Sequence, residues 1–364
     1  MDVHTTNYTL CCYSMEDDRF FAEVQVEPDA KNILKYLARI EKQQSRDCRI
    51  VCGYEAGCLG YSLYHQLHAH GIDCVILAPT TMMTKPGKRI KTDRRDARLI
   101  SKCLAFHTYS PVYIPTEVDD TVKEYIRMRD DANSALARVK QQIIAFCIRH
   151  GKIHDGKSYW TNKHLEWLSS LDLGNKILSE VLQEYLIRYY QLREQVDVYD
   201  MRINELAQAE PYRQKVEKLG CFRGIAAHTA LSFCVEVGDF RRFATAQQFA
   251  SYLGLVPGEC SSGDKQQYTG ITKAGNSHLR KLLVETAQVF GRSATKSGKS
   301  VALKERQAKC DSLTVAYADK ANARLKKKYF KIAMRSKVNI AKTAVAREMA
   351  CFIWGMMTDN ISCA

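Results

Sequence analysis

The sequence predicts an α/β domain first, then a long paired-helix middle, then a mostly helical C-terminal part. Three observations carry this. Residues 8–78 alternate short strand-like and helix-like runs. Val118–Phe146 and Leu178–Leu206 repeat apolar residues at spacings of three and four. Beyond residue 211, apolar helical runs are separated by turns rich in Gly and Pro. The expected division is 1–114, 115–210, 211–292 and 293–364.

In the first domain Tyr8–Ser14 reads as a strand, residues 15–18 as a turn, and Arg19–Val26 as a second strand. In that strand Phe20, Ala22, Val24 and Val26 alternate at period two. Pro28 opens a helix with Ile33, Leu34, Leu37 and Ile40 on one face. The apolar run Ile50–Tyr54 predicts a buried strand that delivers Glu55 at its end. A helix over 59–70 stops at Gly71, and Cys74–Ala78 is a further strand. Thr92 or Asp93 caps the next helix, whose first turn carries Asp93 and Asp96 on one face.

Asp2, Glu55, Asp93 and Asp96 thus sit at the ends of neighbouring elements. Four such carboxylates repel one another, and oxygen-preferring divalent cations are the usual compensation. Lys and Arg outnumber Asp and Glu by 54 to 40, a net charge of +14 that suits a polyanionic partner. The fourteen cysteines show no zinc spacing and read as reduced, buried thiols. No leader-like segment is seen and no apolar run approaches the ~20 residues of a membrane span, so a cytoplasmic location without a membrane partner is expected.

Asp2-Val3-His4, Tyr54-Glu55-Ala56-Gly57 and Lys91-Thr92-Asp93-x-x-Asp96-Ala97-Arg98 resemble the acidic tetrad of the DEDD transposases, insertion-sequence recombinases with a RuvC-like N-terminal domain. The resemblance implies an RNase H-like fold and makes Asp2, Glu55, Asp93 and Asp96 ligands of Mg2+. It also implies that Asp2 ends a longer central strand. Because Met1 directly precedes Asp2, unsatisfied backbone donors and a poorly anchored Asp2 are expected here. The basic loop Lys85, Lys88, Arg89 and Lys91 reads as a phosphate contact beside the acidic residues.

The two helical series of the middle predict a coiled-coil seam interrupted at Arg129. Their spacing fits a hairpin folded on itself or pairing with another protomer. Lys218–Ile225 reads as a glycine-bounded turn between helices, either a plain helix turn or one of helix-hairpin-helix type with backbone N–H groups aimed at phosphate. The basic stretch Lys304–Arg335 reads as further nucleic-acid contact.

Gly254-Leu255-Val256-Pro257, then Ser261-Ser262-Gly263, then Thr272-Lys273-Ala274-Gly275-Asn276 and a Leu-Arg helix look like the C-terminal domain of the same transposases. Together the two resemblances span roughly residues 1–290. They place the nucleophile on Ser262, with Ser261 as a lesser neighbour. Lys265, Lys273 and Arg280 become phosphate clamps, and His278 the nearest candidate base. The family implies a covalent protein–DNA intermediate, donor and target DNA as substrates, a noncoding bridge RNA as guide, and a homodimer or homotetramer. The rival readings are a RuvC-like metal nuclease without a covalent intermediate and a nonenzymatic nucleic-acid scaffold.

Overall fold

The computed structural model describes residues 1–43, 49–57, 59–82, 92–259, 267–292 and 298–361. The chain divides into two compact units, Met1–Ile114 and Pro115–Ala364.

The first unit opens with β1 (Asp2–Val3), β2 (Tyr8–Ser14) and β3 (Arg19–Val26), paired antiparallel in that order. α1 (Ala30–Gln43) follows, then β4 (Cys52–Glu55), α2 (Ser62–Ala69), β5 (Cys74–Leu77) and α3 (Asp93–Ala105). β4 and β5 are parallel, with Glu55 opposite Leu77. The Met1 amine donates to the Gly53 carbonyl at 2.7 Å and so joins the edge of β1 to β4. Met1 is buried and Asp2 pairs with Thr9, so the expected loose anchoring of Asp2 is corrected: the short strand is held on both sides.

Strand alternation sorts the side chains. Met1, Leu10, Tyr54 and Ile76 pack with Ile33, Leu37 and Ile40 of α1 and Leu63 and Leu67 of α2. Leu77 packs instead with Ile100 and Cys103 of α3, in a cluster that Leu104 joins. Gly53 belongs to that second face, where an added Cβ would come within 2.8 Å of the Leu104 side chain. One expectation fails at β3. A bulge between the Leu10–Val24 and Cys12–Phe21 pairs, with Ala22 at φ 53°, shifts the alternation. Phe21 therefore joins the α1–α2 core, while Phe20 meets Tyr13 edge to face under Arg98 of α3.

In the second unit α4 (Glu117–Arg149) and α6 (Lys176–Gln208) form an antiparallel hairpin, joined through α5 (Asn162–Ser169). Leu136, Val139, Ile143 and Phe146 interlock with Leu182, Leu186, Tyr189 and Val196. The middle is thus a pair of helices packed on each other within one chain. The interruption at Arg129 is explained by a two-pronged pair with Asp200, at 2.7 and 3.0 Å.

Then come α7 (Arg213–Gly220), α8 (Ala227–Val237), α9 (Ala246–Tyr252), the antiparallel strands β6 (Pro257–Glu259) and β7 (Tyr268–Ile271), and α10 (Ser277–Gly291). α11 (Val301–Gln307), α12 (Ser312–Ala333) and α13 (Val338–Met357) close the chain. α8, α9, α10, α12 and α13 share one core, and Val122, Ile126, Ile203 and Ala207 at one end of the hairpin enter it too. Among the described residues every cysteine is a free thiol, and no helix is long and apolar enough to cross a membrane. Burial pushes the Cys52 thiol up to about 11, so it behaves as a small hydrophobe.

Candidate metal centre and transposase motif

By strand alternation Asp2 and Glu55 turn to the α3 face, since Met1 and Val3 flank Asp2 on the opposite face and Gly53 and Leu77 share the face of Glu55. α3 supplies the other two carboxylates. Thr92 caps it, its hydroxyl accepting from the Arg95 N–H, and this fixes Asp93 and Asp96 in the first turn. Ala97 is fully buried against the sheet, and Arg98 ties α3 to β3 through an ion pair with Glu23.

Asp2 and Asp93 come together with a residue the sequence reading passed over. The Nε2 of His4 lies 3.3 Å from Asp2 Oδ2 and 3.9 Å from Asp93 Oδ1, and one donor atom from each of the three lies within 4.8 Å of the others. Burial, and then the charges of Asp93 and Asp96, push the Asp2 carboxyl above the ordinary carboxylate range, while His4 opposes the rise. Asp96 is therefore part of the same field. Glu55, exposed at the end of β4, shares the face but is outside the 4.8 Å group. The donor set suits a divalent cation: it is anionic, its charges repel, and the Thr9 hydroxyl, buried without a partner, lines a 420 Å³ cavity with Gln25, Thr92, Asp93 and Arg94. Lys85, Lys88, Arg89 and Lys91 lie outside the described residues.

In the second unit the Gly-Leu-x-Pro and Lys-x-Gly-Asn motifs lock to each other. Gly254 and Gly275 have φ of 64° and 75°, and a Cβ on either would come within 2.1 Å of a backbone oxygen, that of Ala274 or Tyr252 respectively. Thr272, Lys273 and Asn276 donate their N–H groups to Val256, Gly254 and Tyr252. Arg280, expected as a phosphate clamp, donates through Nη1 to the carbonyls of Leu253 and Ala274 and so staples this turn. Lys273 is exposed on the turn at φ 56°. Ser261, Ser262 and Lys265 fall on the segment between β6 and β7, outside the described residues. Gly275→Ala should cost about 1–3 kcal/mol from its left-handed backbone, before the clash is added, and thermal unfolding measures it.

His278 occupies the first turn of α10. Its Nδ1 donates to Glu236 of α8 and its Nε2 to Asp130 of α4, the latter at 2.9 Å. Burial works against its charge, but the two carboxylates outweigh it and raise the imidazole to about 9. With both nitrogens donating, His278 keeps its proton at neutral pH and is not poised as a base. Its Nε2 partner Asp130 also faces His228 Nε2 at 3.0 Å and Arg129 Nη1 at 3.1 Å, and sits well below the usual carboxylate range despite burial. Since the folded His278 value lies above the ordinary one of about 6.5, its stabilising effect is complete below about pH 6.5 and fades as pH rises through 9. The melting temperature should fall over that window, and His278→Gln should flatten the slope; a scan at fixed ionic strength reads it.

Beside this network a 460 Å³ cavity is lined by Arg129, His228, His278, Lys281 and Arg292, and by Gly224 of the turn between α7 and α8. α8 starts there without a side-chain cap, and Gly224 at φ 86° lets the turn approach Thr286. In the basic C-terminal stretch, Lys328 and Arg324 are committed to Glu348 and Arg306 to the Gly220 carbonyl, whereas Lys327, Lys331 and Arg335 are exposed.

Comparison with known proteins matches both halves of this description. Residues 1–148 match a family described as transposase, the DEDD type of the IS110 group, and residues 217–306 match the transposase IS116/IS110/IS902 family. The first match implies the RNase H-like fold for the N-terminal domain. The y4qE protein of Sinorhizobium fredii, a transposase by its description, is 35% identical over 84% of this chain and 75% of its own. The transposase for insertion sequence element IS1533 of Leptospira borgpetersenii is 31% identical over 90% of this chain and 94% of its own. That for IS1111A of Coxiella burnetii is 26% identical over 70% and 71%. The nonenzymatic rival falls away, because transposases cut and join DNA. The chain belongs to the IS116/IS110/IS902 family of insertion-sequence transposases, enzymes of DNA transposition.

Proposed function

We propose that the protein cuts and rejoins DNA through a covalent phosphoserine link on Ser262, with Mg2+ held by Asp2, Glu55, Asp93 and Asp96. The observation that carries the metal half is the meeting of the Asp2, Asp93 and Asp96 charges on one face of the first unit. Mg2+ bound there supplies Lewis-acid stabilisation of the charge that builds on the phosphate.

The chain's own groups supply the remainder. As the Ser262 Oγ–phosphorus bond forms, one phosphorus–oxygen bond of the strand breaks. The leaving sugar hydroxyl ends with the proton that the serine gives up. One phosphodiester replaces another, so rejoining needs no ATP. Lys85, Lys88, Arg89, Lys91, Lys265 and Lys273 are assigned to the DNA backbone. Lys281, Arg292 and the uncapped start of α8 suit a further phosphate contact. A noncoding bridge RNA pairing with donor and target DNA fits the net charge of +14. The outer face of α6, with Ile177, Val181, Ile187, Val198 and Met201 exposed, supports assembly as a dimer or tetramer.

The test is cleavage of donor and target DNA with its RNA guide, with Mg2+ or with EDTA, followed by denaturing electrophoresis of labelled DNA. Metal-dependent cutting with a protein-linked product supports the proposal. Metal-dependent cutting with no adduct favours the metal nuclease, and cutting unaffected by EDTA removes the metal from the reaction.

A further inference from the structure

We infer that His4 is a nitrogen ligand of the metal centre and that it biases the site toward first-row transition ions, read out with Mn2+ as the probe, over Mg2+. The inference rests on the reading of the acidic residues as a metal centre and goes beyond it, because an all-carboxylate tetrad has no imidazole.

The distances favour coordination. Ligands about 2.0–2.4 Å from one ion lie about 3 Å apart at right angles and under about 5 Å apart across it. His4 Nε2 is 3.3 Å from Asp2 Oδ2 and 3.9 Å from Asp93 Oδ1. The same ring nitrogen faces both carboxylates, which is the arrangement of three donors converging on a common point. The His4 side chain, 45% exposed, leaves room for water on the other ring nitrogen.

A second observation is independent of the charges. Thr9 is 3% exposed, its hydroxyl oxygen has no partner, and it lines the cavity that Asp93 also lines. Thr9 sits opposite Asp2 in the β1–β2 register, which puts the two side chains on one face. Buried hydroxyls seldom remain unsatisfied, and a water carried by a bound ion gives this one its partner. The site therefore has oxygen donors, one nitrogen donor and a waiting second-layer hydroxyl.

Ligand chemistry then sets the preference. Mg2+ strongly favours oxygen and keeps much of its water, whereas imidazole gains more from Mn2+ and the later first-row ions. The experiment titrates Mn2+ and Mg2+ separately into the full-length wild-type protein, His4→Gln and Asp96→Asn by calorimetry. Pulsed EPR of bound Mn2+ then reads nitrogen coupling. Wild type is expected to show ¹⁴N coupling and to bind Mn2+ about tenfold or more tightly than His4→Gln. In that variant the coupling vanishes while Mg2+ affinity changes by less than about threefold. Equal Mn2+ affinity in wild type and His4→Gln, or no ¹⁴N coupling in wild type, overturns the role of His4. If Asp96→Asn still loses affinity in that case, the metal centre itself stands. No binding of either ion to wild type overturns both.

Discussion

Asp96→Asn and Glu55→Gln are each expected to lower strand cleavage by about 10³-fold or more, with DNA binding kept within about threefold of wild type. Both changes keep the side-chain size and remove one negative ligand. The basic residues behind the net charge of +14, which suit the DNA backbone, are left in place. Stability gives a second, opposite reading for Asp96. The charge of Asp96 helps to raise the Asp2 carboxyl, so at neutral pH the metal-free fold holds carboxylates that repel. A group raised on folding stabilises only below its unfolded range, and that contribution is gone once pH passes its folded value. Asp96→Asn should therefore melt higher than wild type in EDTA, and should gain less on addition of divalent metal. Filter binding, cleavage on labelled DNA and melting with and without metal check the three parts. Cleavage at the wild-type rate in either variant would remove that carboxylate from the centre.

How far the sequence reaches is clear from particular residues. Tyr8–Ser14 and Arg19–Val26 were legible as strands because turn residues bracket them and β-branched or aromatic residues fill them. The bulge that moves Phe21 inward was not, since one extra residue leaves the local composition unchanged. Arg129 looked like a flaw in an apolar seam; its reason, Asp200, stands 71 positions away. The His278 contacts with Asp130 and Glu236 are likewise long-range, and nothing near residue 278 announces them. Lys328 and Arg324 read as nucleic-acid contacts and Arg280 as a phosphate clamp, yet acceptors within the fold engage all three. The positions of Glu55 at the end of β4 and of Asp93 and Asp96 in the first turn of α3 were readable, because local sequence predicts element ends. His4 was missed although Asp2 was seen. It lies one residue beyond the end of β1, where the two-residue strand period no longer places a side chain.

Ser262→Ala should eliminate the denaturant-resistant protein–DNA adduct, whereas Ser261→Ala should reduce it only in part. β6 and β7 pair antiparallel, Glu259 opposite Tyr268, and so fix both ends of the stretch carrying the two serines. The Gly254 and Gly275 turns flanking β6 and β7 are locked backbone to backbone and stapled by Arg280. In-line attack requires the oxygen at roughly 3 Å from phosphorus and opposite the leaving oxygen, a geometry only one of two adjacent serines can satisfy. Ser262, not Ser261, directly precedes Gly263, the residue without a side chain, which is why the stronger effect is expected at Ser262. His278, protonated between its two carboxylates, is not available to take the serine proton. Activation must come from another group, so His278→Gln should leave adduct chemistry far less impaired than Ser262→Ala does. Trapping the reaction on nicked DNA, denaturing it and mapping the modified peptide by mass spectrometry decides the matter. An adduct on Ser261 or a tyrosine would move the nucleophile, and its persistence in Ser262→Ala would refute the assignment outright.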